Sequence, residues 1–214
     1  MPVGIRRIDP DGYILPSQVN ESPDLTLLFL GGSTTECMFM DEADRFPYAV
    51  GREVEEKTGK KTNAYNAGHS GNHTMHSVAL LVGKGLGLRP DYAILHHAIN
   101  DVVILLYYGS YWNENRTRSL LTSKAQLDHR PPPVRLAGLE LLRSITPNIA
   151  EALTADSAPT LTDEFADVRG KALRFDKEEM LRQFRSAEKT YVETCRAYGI
   201  KPILLTQASR MTEQ

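Results

Sequence analysis

The sequence predicts an α/β fold built on a mostly parallel sheet, and two observations carry that expectation. Short apolar runs alternate with stretches of helical periodicity through residues 25–97 and again through 176–205, which is the pattern of strand–helix–strand units with crossover helices. The first apolar run, Leu25-Thr-Leu-Leu-Phe-Leu30, has no polar alternation, so it suits a strand buried on both faces.

The elements follow in order. Residues 1–24 are rich in Pro, Gly, Asp and Ser and read as an irregular lead-in. The first strand ends at Gly31-Gly32. A helix then places Phe46, Val50 and Val54 on one stripe, with Pro47 in its first turn and Gly59 set to stop it. A second strand is predicted at 62–67. The next helix carries Met75, Val78, Ala79, Val82 and Leu86, and loosens through Gly83, Gly85 and Gly87. The third strand is 92–97. From about 109 to 174 the periodicity breaks down around Tyr108-Gly-Ser-Tyr-Trp112 and Pro131-Pro-Pro133, with a short helix expected over 134–145. This stretch is read as an insert within one domain spanning 1–214. Asp176-Lys-Glu-Glu179 then starts a helix as an acidic capping box. That helix shows Phe184, Ala187, Tyr191, Cys195 and Tyr198 on one face, and Gly199 ends it. A fourth strand follows at 200–205, where Pro202 is awkward for a central position.

Composition narrows the function classes. Of 214 residues, 41% are hydrophobic and 24% charged, enough for one sizeable core. Lys and Arg number 25 against 27 for Asp and Glu, and no basic tract interleaved with aromatics occurs, so nucleic acid is not an expected partner. Cys37 and Cys195 form no disulfide framework and match no zinc spacing; both are expected to be buried thiols. No apolar run approaches the roughly 20 residues needed to span a bilayer. The N-terminus lacks the apolar core of a signal peptide, which leaves a cytosolic protein or one cut downstream of an export signal.

In open parallel sheets ligands bind at the carboxyl ends of strands, so the loops there carry the candidate chemistry. Gly31-Gly-Ser-Thr-Thr35 follows the first strand, Asn66-Ala-Gly-His-Ser-Gly-Asn72 the second, and Ala98-Ile-Asn-Asp101 the third. In order they offer a hydroxyl on a glycine-flanked turn, a flexible glycine turn and a carboxamide. That set suits acyl transfer: Ser33 as nucleophile, with the N–H groups of Ser33 and Gly71 and the amide of Asn100 on the developing oxyanion.

These three runs give a specific resemblance. Phe29-Leu-Gly-Gly-Ser-Thr-Thr35 is similar to the first block of the SGNH (GDSL-like) serine hydrolases, commonly Gly-Asp-Ser-Leu. Ser70-Gly71-Asn72 resembles the second block, whose glycine serves the oxyanion hole. Ala98-Ile-Asn-Asp101 resembles the third, Gly-x-Asn-Asp. Gly32 stands where many members have Asp, and Ala98 where many have Gly. The resemblance implies a three-layer α/β/α sandwich of flavodoxin-like outline and hydrolysis of a carboxylic ester, with an acetyl ester on a carbohydrate as one candidate. The implied partner is a small-molecule or glycan ester, and no cofactor is implied. The family's fourth block, Asp-x-x-His, supplies the general base and occurs nowhere in this sequence. The sequence-level expectation is therefore a truncated chain lacking its C-terminal end. An O-acyltransferase on the same site and a catalytically inactive glycan- or acyl-binding relative are the alternatives.

Other residues carry a functional and a bland reading. His69, His73 and His76 fall at i, i+4 and i+7, a spacing compatible with zinc, but His69 precedes the Gly71 turn and no metalloprotease pattern accompanies it. No metal is expected; cleft-lining or core hydrogen bonding is the simpler role. Asp101 either holds the Asn100 loop or touches substrate. His97 is a substitute base in principle or a cleft residue. Trp112, with Tyr107, Tyr108 and Tyr111, packs under the insert or forms a platform for a sugar or acyl chain.

Overall fold

The computed structural model describes residues 7–113, 115, 118–120, 168, 170 and 175–207. The chain divides into two compact units, Met1–Tyr111 with Leu173–Gln214, and Trp112–Ala172. The first holds the sheet. Among the described residues its strands are β1 (Leu25–Gly31), β2 (Thr62–Asn66), β3 (Tyr92–His96) and β4 (Lys201–Leu205), all parallel in the order β2-β1-β3-β4. The described α-helices are α1 (Ser33–Glu36), α2 (Phe46–Thr58), α3 (Thr74–Gly83), α4 (Ile99–Tyr108) and α5 (Lys177–Ala197). The expected 134–145 helix lies outside the described residues. Among the described residues no helix is long and apolar enough to cross a membrane.

The two-fold periodicity of a strand explains why β1 is apolar throughout. Leu27 and Phe29 face one side, where they pack with Ala64, Ile94, and Phe46 and Val54 of α2. Leu28 and Leu30 face the other, where they join Val78 and Leu81 of α3 and Tyr191 and Cys195 of α5. Helices thus cover both faces, and the three-layer α/β/α arrangement follows.

Local signals act where the sequence places them. Asp176 Oδ1 accepts the Glu178 and Glu179 N–H groups at 2.9 and 3.2 Å, capping α5. Gly59 takes a left-handed conformation (φ +70°) and closes α2 with its N–H on Glu55 O at 2.8 Å. The expected loosening after Gly83 is an end to α3, followed by a 3-10 turn at Gly85–Leu88. Pro202 sits on β4, which pairs only with β3 among the described strands; an edge strand tolerates the missing donor. Both cysteines are buried, and desolvation pushes both thiols up.

The lead-in departs from a purely irregular expectation. Ile14 bridges to Ile8 and to Asn66 at the end of β2, and Tyr13 is almost wholly buried. Its ring meets Tyr65 edge-on at 5.2 Å and lies under the Lys84 ammonium at 3.7 Å.

Leu81 has no exposed surface, whereas its neighbour Val82 is 54% exposed. Leu81→Ala is expected to cost roughly 2–5 kcal/mol in urea unfolding, and Val82→Ala under about 0.5 kcal/mol. Equal losses would contradict the packing of α3 on the sheet.

Candidate active site

The parallel register brings four strand ends to the same edge of the sheet, three of them level and that of β2 two residues short. Phe29 lies opposite Asn66, Gly31 opposite His96, and His96 opposite Leu205. The loops leaving these ends are therefore neighbours, and side chains tie them together.

The first loop turns directly into α1. A methyl group on Gly31 would collide with Thr35 Oγ1 and come 2.9 Å from His96 O. One on Gly32 would lie 2.6 Å from Asn100 Nδ2. The glycine pair thus allows both the sharp turn and the approach of the Asn100 amide. Here the space of a residue-32 side chain is filled from the third loop. α1 closes with Glu36 N–H on Gly32 O at 3.0 Å and ends at Cys37, which is left-handed (φ +52°). Ser33, its first residue, is exposed.

The second loop is fastened to the first at several points. His69 N–H donates to Gly31 O at 3.1 Å. Asn66 Nδ2 donates to Thr35 O at 2.8 Å while its Oδ1 accepts the Gly68 N–H at 2.9 Å. Gly68 lies against the Thr35–Glu36 backbone so closely that only glycine fits. The Glu36 carboxylate accepts the Ser70 N–H at 2.7 Å and also the Ser70 hydroxyl. Gly71 has φ +82°, a conformation that favours glycine.

The third loop opens α4. Asn100 Nδ2 donates to Asn72 O at 2.7 Å, joining the third loop to the second beside Gly71. Gln207, two residues past β4, adds a link that sequence reasoning missed. Its Nε2 donates to Thr34 Oγ1 at 3.1 Å, and its Oε1 accepts the Ile99 N–H at 3.2 Å. The available signal was its place just beyond the carboxyl end of a strand. Glu36 was missed too, because nothing in a local pattern announces a carboxylate that serves a distant turn. α4 itself was not predicted, and it is what fixes Asn100.

Asp101 and His97 lie deeper. Asp101 has no exposed surface and accepts the Thr74 N–H at 2.9 Å and the Tyr111 hydroxyl at 2.6 Å. Burial raises its carboxyl, and those hydrogen bonds oppose the rise. His97 Nε2 is 2.7 Å from Ser77 Oγ, and its Nδ1 is 4.0 Å from Asp101 Oδ2. Ser77, His97 and Asp101 thus follow the order of a catalytic triad. However, 4.0 Å is no hydrogen bond, and all three are enclosed, so no substrate reaches Ser77. Burial first, then the neighbouring His96 and His76, push His97 down to about 3, which keeps it neutral.

The other described histidines are engaged structurally. His73 caps α3, and its ring lies against that of His76, tilted by 41° with centroids 3.9 Å apart. His96 Nδ1 is 3.4 Å from Thr35 Oγ1, and its ring stands edge-on to Phe46. His69 Nδ1 is 2.9 Å from Ser70 O. Among the described residues no histidine is hydrogen-bonded to the Ser33 hydroxyl, and no group of three His, Cys, Asp or Glu side chains can hold a metal ion. Trp112 is 71% exposed and belongs to the other compact unit.

No protein-family model matches the chain, and no curated protein matches it. Solved structures do. TesA is similar at 14% identity and a TM-score of 0.44, over 84% of this chain; the chain spans 58% of the TesA chain. AlinE4, an SGNH-hydrolase family esterase, is similar at 16% identity and a TM-score of 0.36, over 86% of this chain and 77% of its own. A catalytic mutant of Axe2, an acetylxylan esterase from Geobacillus stearothermophilus, is similar at 14% identity and a TM-score of 0.36, over 84% of this chain and 75% of its own.

His97 gives a pH prediction. The unfolded chain takes this proton near the ordinary 6.5, the folded chain only near 3. Its contribution to stability is therefore full above 6.5 and is lost as pH falls toward 3. The raised Asp101 carboxyl works oppositely, contributing at low pH and losing that contribution as pH rises. His97→Gln is expected to flatten the fall in unfolding free energy between about pH 6 and 4, read by urea titration at each pH. An unchanged slope would mean that His97 titrates alike in both states.

Proposed function

We propose that the chain is an SGNH-type serine ester hydrolase with Ser33 as its nucleophile. One observation carries this reading: an exposed serine stands on a glycine-enforced turn whose loop is tied through Glu36 to a glycine turn, and that second turn accepts the Asn100 amide.

Ser33 Oγ attacks the ester carbonyl, and the electron pair of the C=O bond moves onto its oxygen. The Ser33 N–H, the Gly71 N–H and the Asn100 amide receive that charge. Each donor of this kind is worth about 3 kcal/mol in the transition state. The bond to Asn72 O holds the Asn100 amide in orientation before substrate arrives. Collapse expels the alcohol and leaves an acyl group on Ser33; water then releases the acid. No metal or organic cofactor takes part in this scheme. The hydroxyl proton needs a base, since a neutral serine is a weak nucleophile. The described histidines face other partners, so in this reading the base comes from outside the described residues. Asp101 and His97 act as supports beneath the third loop. The substrate is a small-molecule or glycan ester, and an acetylated carbohydrate is the first class to assay.

A catalytically inactive binding protein is the second reading. It is favoured by the lack of a histidine on Ser33 among the described residues.

A serine-reactive fluorophosphonate separates the two. Intact mass and peptide mapping are expected to show one adduct, on Ser33, which Ser33→Ala abolishes. Asn100→Ala, and Gly32→Ala through displacement of the same amide, are expected to slow labelling on the order of 100-fold. A folded wild-type chain that takes no adduct would overturn the hydrolase reading in favour of the binding protein.

A further inference from the structure

We infer that Glu36 is a positioning residue, whose carboxylate holds the Ser70–Gly71 turn so that the Gly71 N–H faces the Ser33 hydroxyl. This rests on the hydrolase reading above and names a group that reading does not use.

Glu36 is 1% exposed. A carboxylate in such a place is costly unless hydrogen bonds replace the water it has lost. Ser70 replaces it twice, through its backbone N–H at 2.7 Å and through its hydroxyl.

The rest of the turn is already closed without Glu36. His69 N–H is on Gly31 O, Asn72 N–H on His69 O, and Gly68 N–H on Asn66 Oδ1. These bonds fix the two ends and leave residues 70 and 71 as the span between. Gly71, at φ +82°, has no side chain to restrict its own rotation. The Ser70 N–H fixes the peptide plane before Ser70, and the Ser70 hydroxyl pins the residue itself. The next peptide plane carries the Gly71 N–H.

Glu36 and Ser33 are three residues apart on α1, about one helical turn. Nucleophile and tether therefore move as one body. The path from Ser33 through α1, Glu36 and Ser70 to Gly71 is short, and it sets the distance between the attacking hydroxyl and one oxyanion donor.

The test uses the 214-residue chain with Glu36→Gln and Ser70→Ala, the second keeping the buried carboxylate and its bond from the Ser70 N–H. Two readouts are taken: amide hydrogen exchange at residues 69–72, and the maximal rate and half-saturation of Ser33 labelling by the fluorophosphonate. Glu36→Gln is expected to speed exchange at Ser70 and Gly71 by about 10-fold or more while amides of β1 hold theirs. The maximal labelling rate is expected to fall by about 10-fold with half-saturation unchanged, because the donor is displaced rather than the cleft lost. Ser70→Ala should give the same pattern at smaller amplitude, and it stands as the measurement if Glu36→Gln does not fold. Unchanged exchange at 70 and 71 overturns the inference, as does faster exchange with an unchanged maximal rate. A wild-type chain that takes no label sinks the hydrolase reading, and the exchange data then decide alone whether Glu36 holds the turn.

Discussion

The site depends on the parallel register of the sheet. Because Gly31, His96 and Leu205 end their strands in register and Asn66 ends β2 two residues short of them on the same edge, four loops emerge side by side, and short side chains can span from one to the next. Antiparallel neighbours would send alternate loops to opposite edges. The register in turn depends on β1, whose Leu27 and Phe29 serve one face and whose Leu28 and Leu30 serve the other. A slip of one residue would exchange the two sets.

Much of this was legible in the sequence, and the reason is that it is written locally. An unbroken apolar run, a glycine after a helix and an aspartate before one act within a few residues of themselves. The α2 limits at Phe46 and Gly59 and the Asp176 cap are of this kind. The three strand-end motifs were legible for the same reason. What escaped was the set of ties between them. Glu36 reaches 34 residues to Ser70, and Gln207 reaches 173 residues to Thr34. No periodicity encodes such pairs. α4 was passed over because Ile99–Tyr108 is apolar on nearly every side, so it has no helical stripe to read.

The enclosed Ser77, His97 and Asp101 show why geometry must be read with solvent access. Their order is that of a working triad, but the imidazole is held neutral by burial and the serine faces no cleft. The polar groups there brace α3 against α4: Asp101 grips the first N–H of α3, and His97 meets Ser77 one turn further on. The exposed serine has the opposite character, with few constraints on its hydroxyl and many on the backbone around it.

The burial of Tyr13 bears on where this domain begins in practical terms. Ile14 gives its N–H to Asn66 O at 2.9 Å, so the lead-in supplies a hydrogen bond to the very strand end from which the Gly71 turn departs. A version of the protein trimmed to start at β1 would keep every described strand and helix. It would also leave one face of Tyr65 wet and the Asn66 carbonyl without that donor, at the root of the turn. The segment before the sheet, irregular as it is, should be treated as part of the domain whenever its edges are drawn for expression or grafting.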